Sequence, residues 1–193
     1  SGGTSGIGRA IAEAFSAAGA KVVSAGLARD ENLPFPIRTE VFDVSDDSAV
    51  QRLISAIPAI DVVVNAAGII RRDKEFDLET FREVVDVNLT GAMRVCVAAR
   101  SKLAESGGSI INISSVGSMG GGAPRPTSTE HGGTGGGALP YACAKAGLNV
   151  LTVALAQTYA PTVRVNAVLA GSFWTDASKH WAEGLVDPHA IPL

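Results

Sequence analysis

Tyr141 and Lys145 stand four positions apart in Tyr141-Ala142-Cys143-Ala144-Lys145, so a helix through them carries both side chains on one face. An ammonium beside a phenol favours the phenolate. At ~4–5 Å and an effective dielectric of about 20, the attraction is roughly 3–4 kcal/mol. That corresponds to about 2–3 pK units off an unperturbed tyrosine near 10. A tyrosine poised near neutrality serves as acid or base at an alcohol or ketone oxygen. Ile111-Asn112-Ile113-Ser114-Ser115 offers further hydroxyls at the end of an apolar run. At the other end of the chain, Ser1-Gly2-Gly3-Thr4-Ser5-Gly6-Ile7-Gly8 leads directly into a helical pattern. Such a loop needs glycine for positive φ and for close approach of a diphosphate to backbone N–H groups. The helix N-terminus adds partial positive charge. Taken singly, a Tyr-x-x-x-Lys spacing is common in helices and a glycine-rich helix start is often only a tight turn.

The elements that must position these groups alternate between strand and helix. Gly6 to Ala18 reads as a helix with Ile7, Ile11 and Phe15 along one face. Lys21–Ala25 and Thr39–Phe42 read as strands, and Ser45-Asp46-Asp47-Ser48 caps a helix carrying Val50, Leu53, Ile54 and Ile57. Asp61–Val64 is a strand with Asn65-Ala66-Ala67-Gly68 as its exit turn, and one long helix is expected from about Leu78 to about Ala98. Ser109–Ile113 and Val163–Val168 are the last strands, separated by a helix from about Tyr141 to Tyr159. Strands alternating with helices of this length imply βαβ units and a parallel sheet covered on both faces. Ser115 then falls at the C-terminal end of a strand, where open α/β sheets bind ligands. The exception is Val116 to Pro140, which holds nine glycines and is expected to form no regular element, with a glycine-rich insertion at about 117–138.

These motifs, in this order, resemble the short-chain dehydrogenase/reductase family. Its TGxxxGxG loop is matched by Gly2, Gly6 and Gly8 with Ser1 in place of threonine, and its NNAG turn by Asn65-Ala66-Ala67-Gly68 with alanine at the second position. Val84-Val85-Asp86-Val87-Asn88-Leu89-Thr90-Gly91 is similar to the family segment bearing a catalytic asparagine. The likeness runs from Ser1 to about Lys179. It implies a Rossmann-like doubly wound α/β domain over residues 1–193 that binds NAD or NADP and moves a hydride to or from a secondary alcohol or ketone. It implies that Ser115 bonds the substrate oxygen and Tyr141 transfers the proton. Lys145 would lower the tyrosine pKa and hold the nicotinamide ribose, and Asn88 would position a relaying water. The cofactor would lie against Gly2, Thr4, Ser5, Gly6, Ile7 and Gly8. Asp43, Val44, Asn65, Ala66, Ala67 and Gly68 would line it further on, with Tyr141, Lys145, Gly171 and Thr175 at the nicotinamide end. Arg164–Val168 and Ala170-Gly171-Ser172-Phe173-Trp174-Thr175 resemble the family's strand and PGxxxT turn, with Ala170 where proline is usual. Homo-oligomers are the family habit.

Four departures shape the expectations. Ser115 and Tyr141 are 141 − 115 = 26 positions apart, against about 13 in relatives. Ser128 is the rival by count, but Ser115 has the strand-end position. The expected second sheet strand ends in Ala25-Gly26-Leu27 without the acidic residue that selects NAD. Arg29 favours a 2′-phosphate while Asp30 and Glu31 oppose it, so the residues leave NAD and NADP open. Gly68-Ile69-Ile70-Arg71-Arg72 looks like the segment found in relatives acting on sugars and keto sugar acids. Arg71 and Arg72 suit a substrate carboxylate, or else form a solvated loop paired with Asp73 or Glu75. Finally, no strand precedes the glycine loop and no counterpart of the family's last strand follows. The pattern therefore predicts a piece of a longer enzyme, lacking the first and the C-terminal strand.

Composition narrows the rest. The 193 residues carry a formal charge of −3, with 46% apolar and 18% charged residues. That suits one globular domain and gives no electrostatic reason for a nucleic-acid partner. No uninterrupted apolar run approaches the ~18 residues of a membrane span. A cytoplasmic protein acting on a small molecule, without a membrane partner, is expected. Cys96 and Cys143 read as buried free thiols. His131, His180 and His189 show no metal-ligand spacing. Phe173, Trp174 and Trp181 suit either a substrate cap or the core. A different class remains open on these residues: a dinucleotide-binding protein that senses cofactor without catalysis.

Overall fold

The computed structural model describes residues 1–34, 36–71, 74, 76–119 and 138–171. Its elements run α1 (Gly6–Ala17), β1 (Val23–Gly26), β2 (Arg38–Val41), α2 (Asp47–Ser55), β3 (Val62–Asn65) and α3 (Leu78–Val85). A π-helical turn (Asp86–Thr90) and α4 (Gly91–Ser106) follow, then β4 (Ser109–Ser115), a 3₁₀ turn (Val116–Met119), α5 (Leu139–Tyr159) and β5 (Arg164–Ala170). All strand pairs are parallel. β1 pairs with β2, and β4 lies between β3 and β5.

The two sheets meet at the glycine loop. The Ser1 backbone nitrogen donates to the Val64 carbonyl at 2.7 Å, Ala66 N–H to the Ser1 carbonyl at 3.0 Å, and Gly3 N–H to the Ala25 carbonyl at 3.2 Å. Residues 1–3 therefore sit between the C-terminal ends of β3 and β1. That is the crevice where the winding of a doubly wound sheet reverses. Among the described residues, no other backbone hydrogen bond joins the two sheets, and no strand pairs along the outer edge of β5.

Local signals explain the helix ends. Asp46 caps α2 through Ala49 N–H at 3.0 Å, and Asp77 caps α3 through Thr80 N–H at 2.7 Å. α4 stops at Gly107, whose φ of +66° only glycine adopts readily. Val50, Val63, Val95, Cys96, Leu103, Ile110, Leu155 and Val163 form the core between sheet and helices.

The structure corrects the sequence expectations in several places. The single helix expected over 78–98 is α3 and α4 joined by the π turn, and it continues to Ser106. Val116–Met119 is regular 3₁₀ structure, and α5 begins at Leu139, inside the stretch expected to be irregular. The most buried residues of α1 are Gly8 and Ala12 rather than Ile7, Ile11 and Phe15, because small residues let the helix approach the glycine loop. Cys96 is buried, but Cys143 is exposed. It lies two residues from both Tyr141 and Lys145, which turns it to the far side of α5. Without any uninterrupted apolar run, α5 is still long and apolar enough to cross a membrane by composition, with 21 residues and a mean hydropathy of 1.3. Here it packs along β4 and β5 and buries Lys145.

Candidate active site

β4 and α5 bring the first three residues together. Ser115 closes β4, and the following turn folds back so that Gly117 N–H donates to Ser115 Oγ at 3.1 Å. That leaves the Ser115 proton unused by the turn, and the Ser115 hydroxyl favours the phenolate form of Tyr141. Tyr141 and Lys145 share one face of α5, with Lys145 Nζ 5.5 Å from the Tyr141 ring centroid. Lys145 is 4% exposed and donates from Nζ to the Ile113 carbonyl at 2.8 Å.

The electrostatics differ from the expectation. Lys145 was expected to pull the phenol down towards neutrality; instead, burial holds Tyr141 above its ordinary value, partly offset by the Ser115 hydrogen bond. The cost of burial falls on the lysine as well, whose pKa drops from 10.5 to about 8. The physical reason is desolvation, since α5 buries both groups and burial disfavours the charged form of each.

Asn88 enters from the π turn. It is 1% exposed, and its Nδ2 donates to the Ile69 carbonyl at 2.8 Å and to the Val84 carbonyl at 2.9 Å. Its Oδ1 is buried and has no partner among the described residues. A Cβ on Gly68 would lie 2.6 Å from Asn88 Oδ1 and 3.6 Å from Lys145 Nζ, so both atoms converge on the surface that Gly68 leaves bare. A widened helical turn of this kind often marks a functional site.

The glycine loop is packed as tightly as its composition implies. Gly2 has φ +69°, and a side chain there would collide with the backbone of Ala66 and Ala67; one on Gly8 would strike the Gly2 carbonyl. Ser5 is the N-cap of α1 but makes no side-chain cap, and the first turn carries no acidic residue, so the opening N–H groups of Ile7 and Gly8 have no such partner. Thr4, Ser5, Gly6 and Ile7 lie on this rim, none fully buried. Asp43 is occupied on one oxygen by Ser45, through N–H at 2.8 Å and the hydroxyl at 2.7 Å. Ala66, Ala67 and Gly68 line the same crevice from β3.

Two expected cofactor residues turn their side chains elsewhere. Val44 is 5% exposed and packs into the core against Gly91. Asn65 Nδ2 points inward, donating to Asn112 Oδ1 at 2.9 Å and Cys96 Sγ at 3.3 Å, while its Oδ1 accepts from Ser1 Oγ at 3.4 Å. Gly171 is exposed at the end of β5 with no close neighbour. Thr175, Ser128, Arg72, Phe173, Trp174, Trp181 and the three histidines lie outside the described residues. Arg71 forks onto Glu83, with contacts of 2.7 and 3.2 Å, while Asp73 and Glu75 lie outside the described residues. The carbonyls of Ile113 and Ile69, which hold Lys145 and Asn88, were invisible to a reading of side-chain types. Among the described residues no group of His, Cys, Asp and Glu is placed to hold a metal.

A sequence profile for the family described as Enoyl-(Acyl carrier protein) reductase matches residues 2–187. The chain belongs to the short-chain dehydrogenase/reductase family. It is 33% identical over 208 positions to the L-fucose dehydrogenase of Rattus norvegicus, covering 100% of this chain and 71% of that one. The 3-oxoacyl-[acyl-carrier-protein] reductase of Aquifex aeolicus is 34% identical over 214 positions, covering 100% and 80%. The ligand-free aldohexose dehydrogenase of Thermoplasma acidophilum superposes with a TM-score of 0.81 at 30% identity, covering 97% of this chain and 71% of that one. This short-chain dehydrogenase/reductase is thus an oxidoreductase of Rossmann type, in a family whose members use NAD(P).

The residues present fit such a cofactor. Gly68 leaves a bare cradle between an unpartnered amide oxygen and a buried ammonium with hydrogens to spare, a donor and acceptor set suited to ribose hydroxyls. At the opposite end, the uncapped first turn of α1 suits a diphosphate.

Proposed function

We propose that this chain interconverts a secondary alcohol and a ketone of sugar type, with Ser115, Tyr141, Lys145 and Asn88 as the acid–base site. The placement of buried Lys145, its Nζ 5.5 Å from the Tyr141 ring centroid on one face of α5, with Ser115 closing β4, carries this reading. The nicotinamide supplies or accepts the hydride when NAD(P) is bound. Ser115 and Tyr141 present two hydroxyls to one substrate oxygen, which orients the carbon beneath it. Tyr141 gives its proton to that oxygen in reduction and takes one in oxidation. Lys145, held by the Ile113 carbonyl, keeps two hydrogens for the ribose and the phenol side. The free Oδ1 of Asn88 suits a water that passes protons towards Lys145.

At the far end, Gly2, Thr4, Ser5, Gly6, Ile7 and Gly8 would hold the diphosphate, and Asp43 the adenine through its second oxygen. Val44 contributes there through backbone alone, since its side chain is committed to the core, while Asn65 also reaches the loop through Oδ1, which accepts from Ser1 Oγ.

Two observations favour a neutral sugar over a sugar acid. Relatives are named for L-fucose and aldohexose. The Arg71 guanidinium, suited to a carboxylate, is already forked onto Glu83. Exposed Val97 on α4 with Val150 and Val153 on α5 supports assembly with further copies.

The test is the Tyr141→Phe variant, assayed with NAD+ and NADP+ against aldohexoses and L-fucose, alongside a nicotinamide-fluorescence titration. Loss of turnover by about a hundredfold or more, with dinucleotide binding retained, is expected. Unchanged turnover would sink the assignment of Tyr141.

A further inference from the structure

We infer that Ser118 and Asn149 hold the hydroxyl of Ser115 in place at the end of β4, and so act as positioning residues for the acid–base site read above. Asn149 Nδ2 donates to Ser118 Oγ at 2.8 Å, and Ser118 Oγ donates to the Ser115 carbonyl at 2.6 Å. The result is a short chain of donors running from α5 across the 3₁₀ turn to the last residue of β4.

Its direction is fixed by proton counting. A serine hydroxyl has one proton, and that of Ser118 goes to the Ser115 carbonyl. Only the amide N–H₂ of Asn149 can then face Ser118, which leaves Oδ1 turned away. That oxygen is buried with no partner among the described residues.

The need for it follows from the connection. Ser115 and Tyr141 are 26 positions apart in the sequence and stand on different elements, so their relative placement depends on contacts between β4 and α5. β4 fixes Ser115 in position, but the rotation of its hydroxyl depends on Gly117 N–H, one residue before Ser118. Tying Ser118 to Asn149 holds the turn, and the turn holds that N–H. Tyr141, Lys145 and Asn149 fall at i, i+4 and i+8 on α5, so one helix face carries the proton donor, its cation and the brace. A single helix thereby ties the turn after Ser115 to the proton donor.

The experiment uses the full chain with Ser118→Ala, Asn149→Leu and Ser118→Thr. Amide hydrogen exchange at Gly117 is read by NMR, and kcat and KM are measured with L-fucose and NAD+ or NADP+. Ser118→Ala and Asn149→Leu are expected to speed Gly117 exchange about tenfold and to lower kcat about tenfold, with KM nearly unchanged. Ser118→Thr, which keeps the hydroxyl, restores both. Gly117 exchange at the wild-type rate in both variants overturns the brace, as does faster exchange at every amide together, which marks general loosening. A wild-type protein that oxidises no sugar and binds no nicotinamide defeats the dehydrogenase reading instead, while Gly117 exchange still decides the brace.

Discussion

Replacing Lys145 with methionine is expected to stabilise the cofactor-free protein at neutral pH while removing its chemistry. Lys145 is 4% exposed, and burial lowers its pKa from 10.5 to about 8. The unfolded chain therefore holds that proton more tightly than the folded one. Folding is penalised in full below pH 8, and the penalty fades as pH rises towards 10.5. At 1.36 kcal/mol per unit, the penalty at pH 7 is about 3 kcal/mol. Methionine fills similar space without a charge, but forfeits the bond from Nζ to the Ile113 carbonyl, worth about 1 kcal/mol. The variant should then be about 2 kcal/mol more stable than wild type at pH 7, or about 1 M in urea midpoint. By pH 9.5 wild type has regained about 2 kcal/mol, and the two should nearly coincide. Urea unfolding of both proteins at the two pH values measures the difference directly, since every other titrating group cancels. A difference that does not change between pH 7 and 9.5, or a variant already weaker at pH 7, refutes the burial of a charged Lys145.

Other consequences follow from the packing. Gly8→Ala drives a methyl group into the Gly2 carbonyl and should cut nicotinamide affinity at least tenfold, read by fluorescence titration, together with a lower melting temperature. Gly68→Ala places its methyl 2.6 Å from Asn88 Oδ1, so turnover should fall by about an order of magnitude with only a modest change in melting temperature. Leu103→Ala empties a fully buried core position and should cost about 2–5 kcal/mol in urea unfolding, with the active-site residues untouched.

Much of the site was legible because its residues are fixed by local periodicity. Tyr141 and Lys145 share a helix face at any i, i+4 spacing, and Ser115 follows an apolar strand. The glycine loop was legible for a similar reason, since positive φ at Gly2 and the close approach at Gly8 exclude other residues. What escaped has no local signature. Nothing in Asp86-Val87-Asn88-Leu89-Thr90 announces a π turn; it forms where Asn88 bonds the carbonyls of Ile69 and Val84. Arg71 reaches a glutamate twelve positions away on α3, and Ser118 an asparagine 31 positions away on α5. The exposure of Cys143 was readable from helical phase, because it stands opposite the face set by Tyr141 and Lys145.

The sequence by itself determined the order of elements, the glycine loop, and the identity of the groups proposed to move a proton. Each rests on chemistry or periodicity carried within a few residues. The tertiary structure alone decided their electrostatic state. Tyr141 is raised and Lys145 lowered because α5 is pressed against β4, and desolvation depends on what surrounds a group rather than on its neighbours in the chain. It also decided which polar side chains face the site and which face inward. Asn65 and Asn88 are the same residue type in two family motifs. One is spent on the core through Asn112, and the other keeps an oxygen free at the cradle beside Lys145.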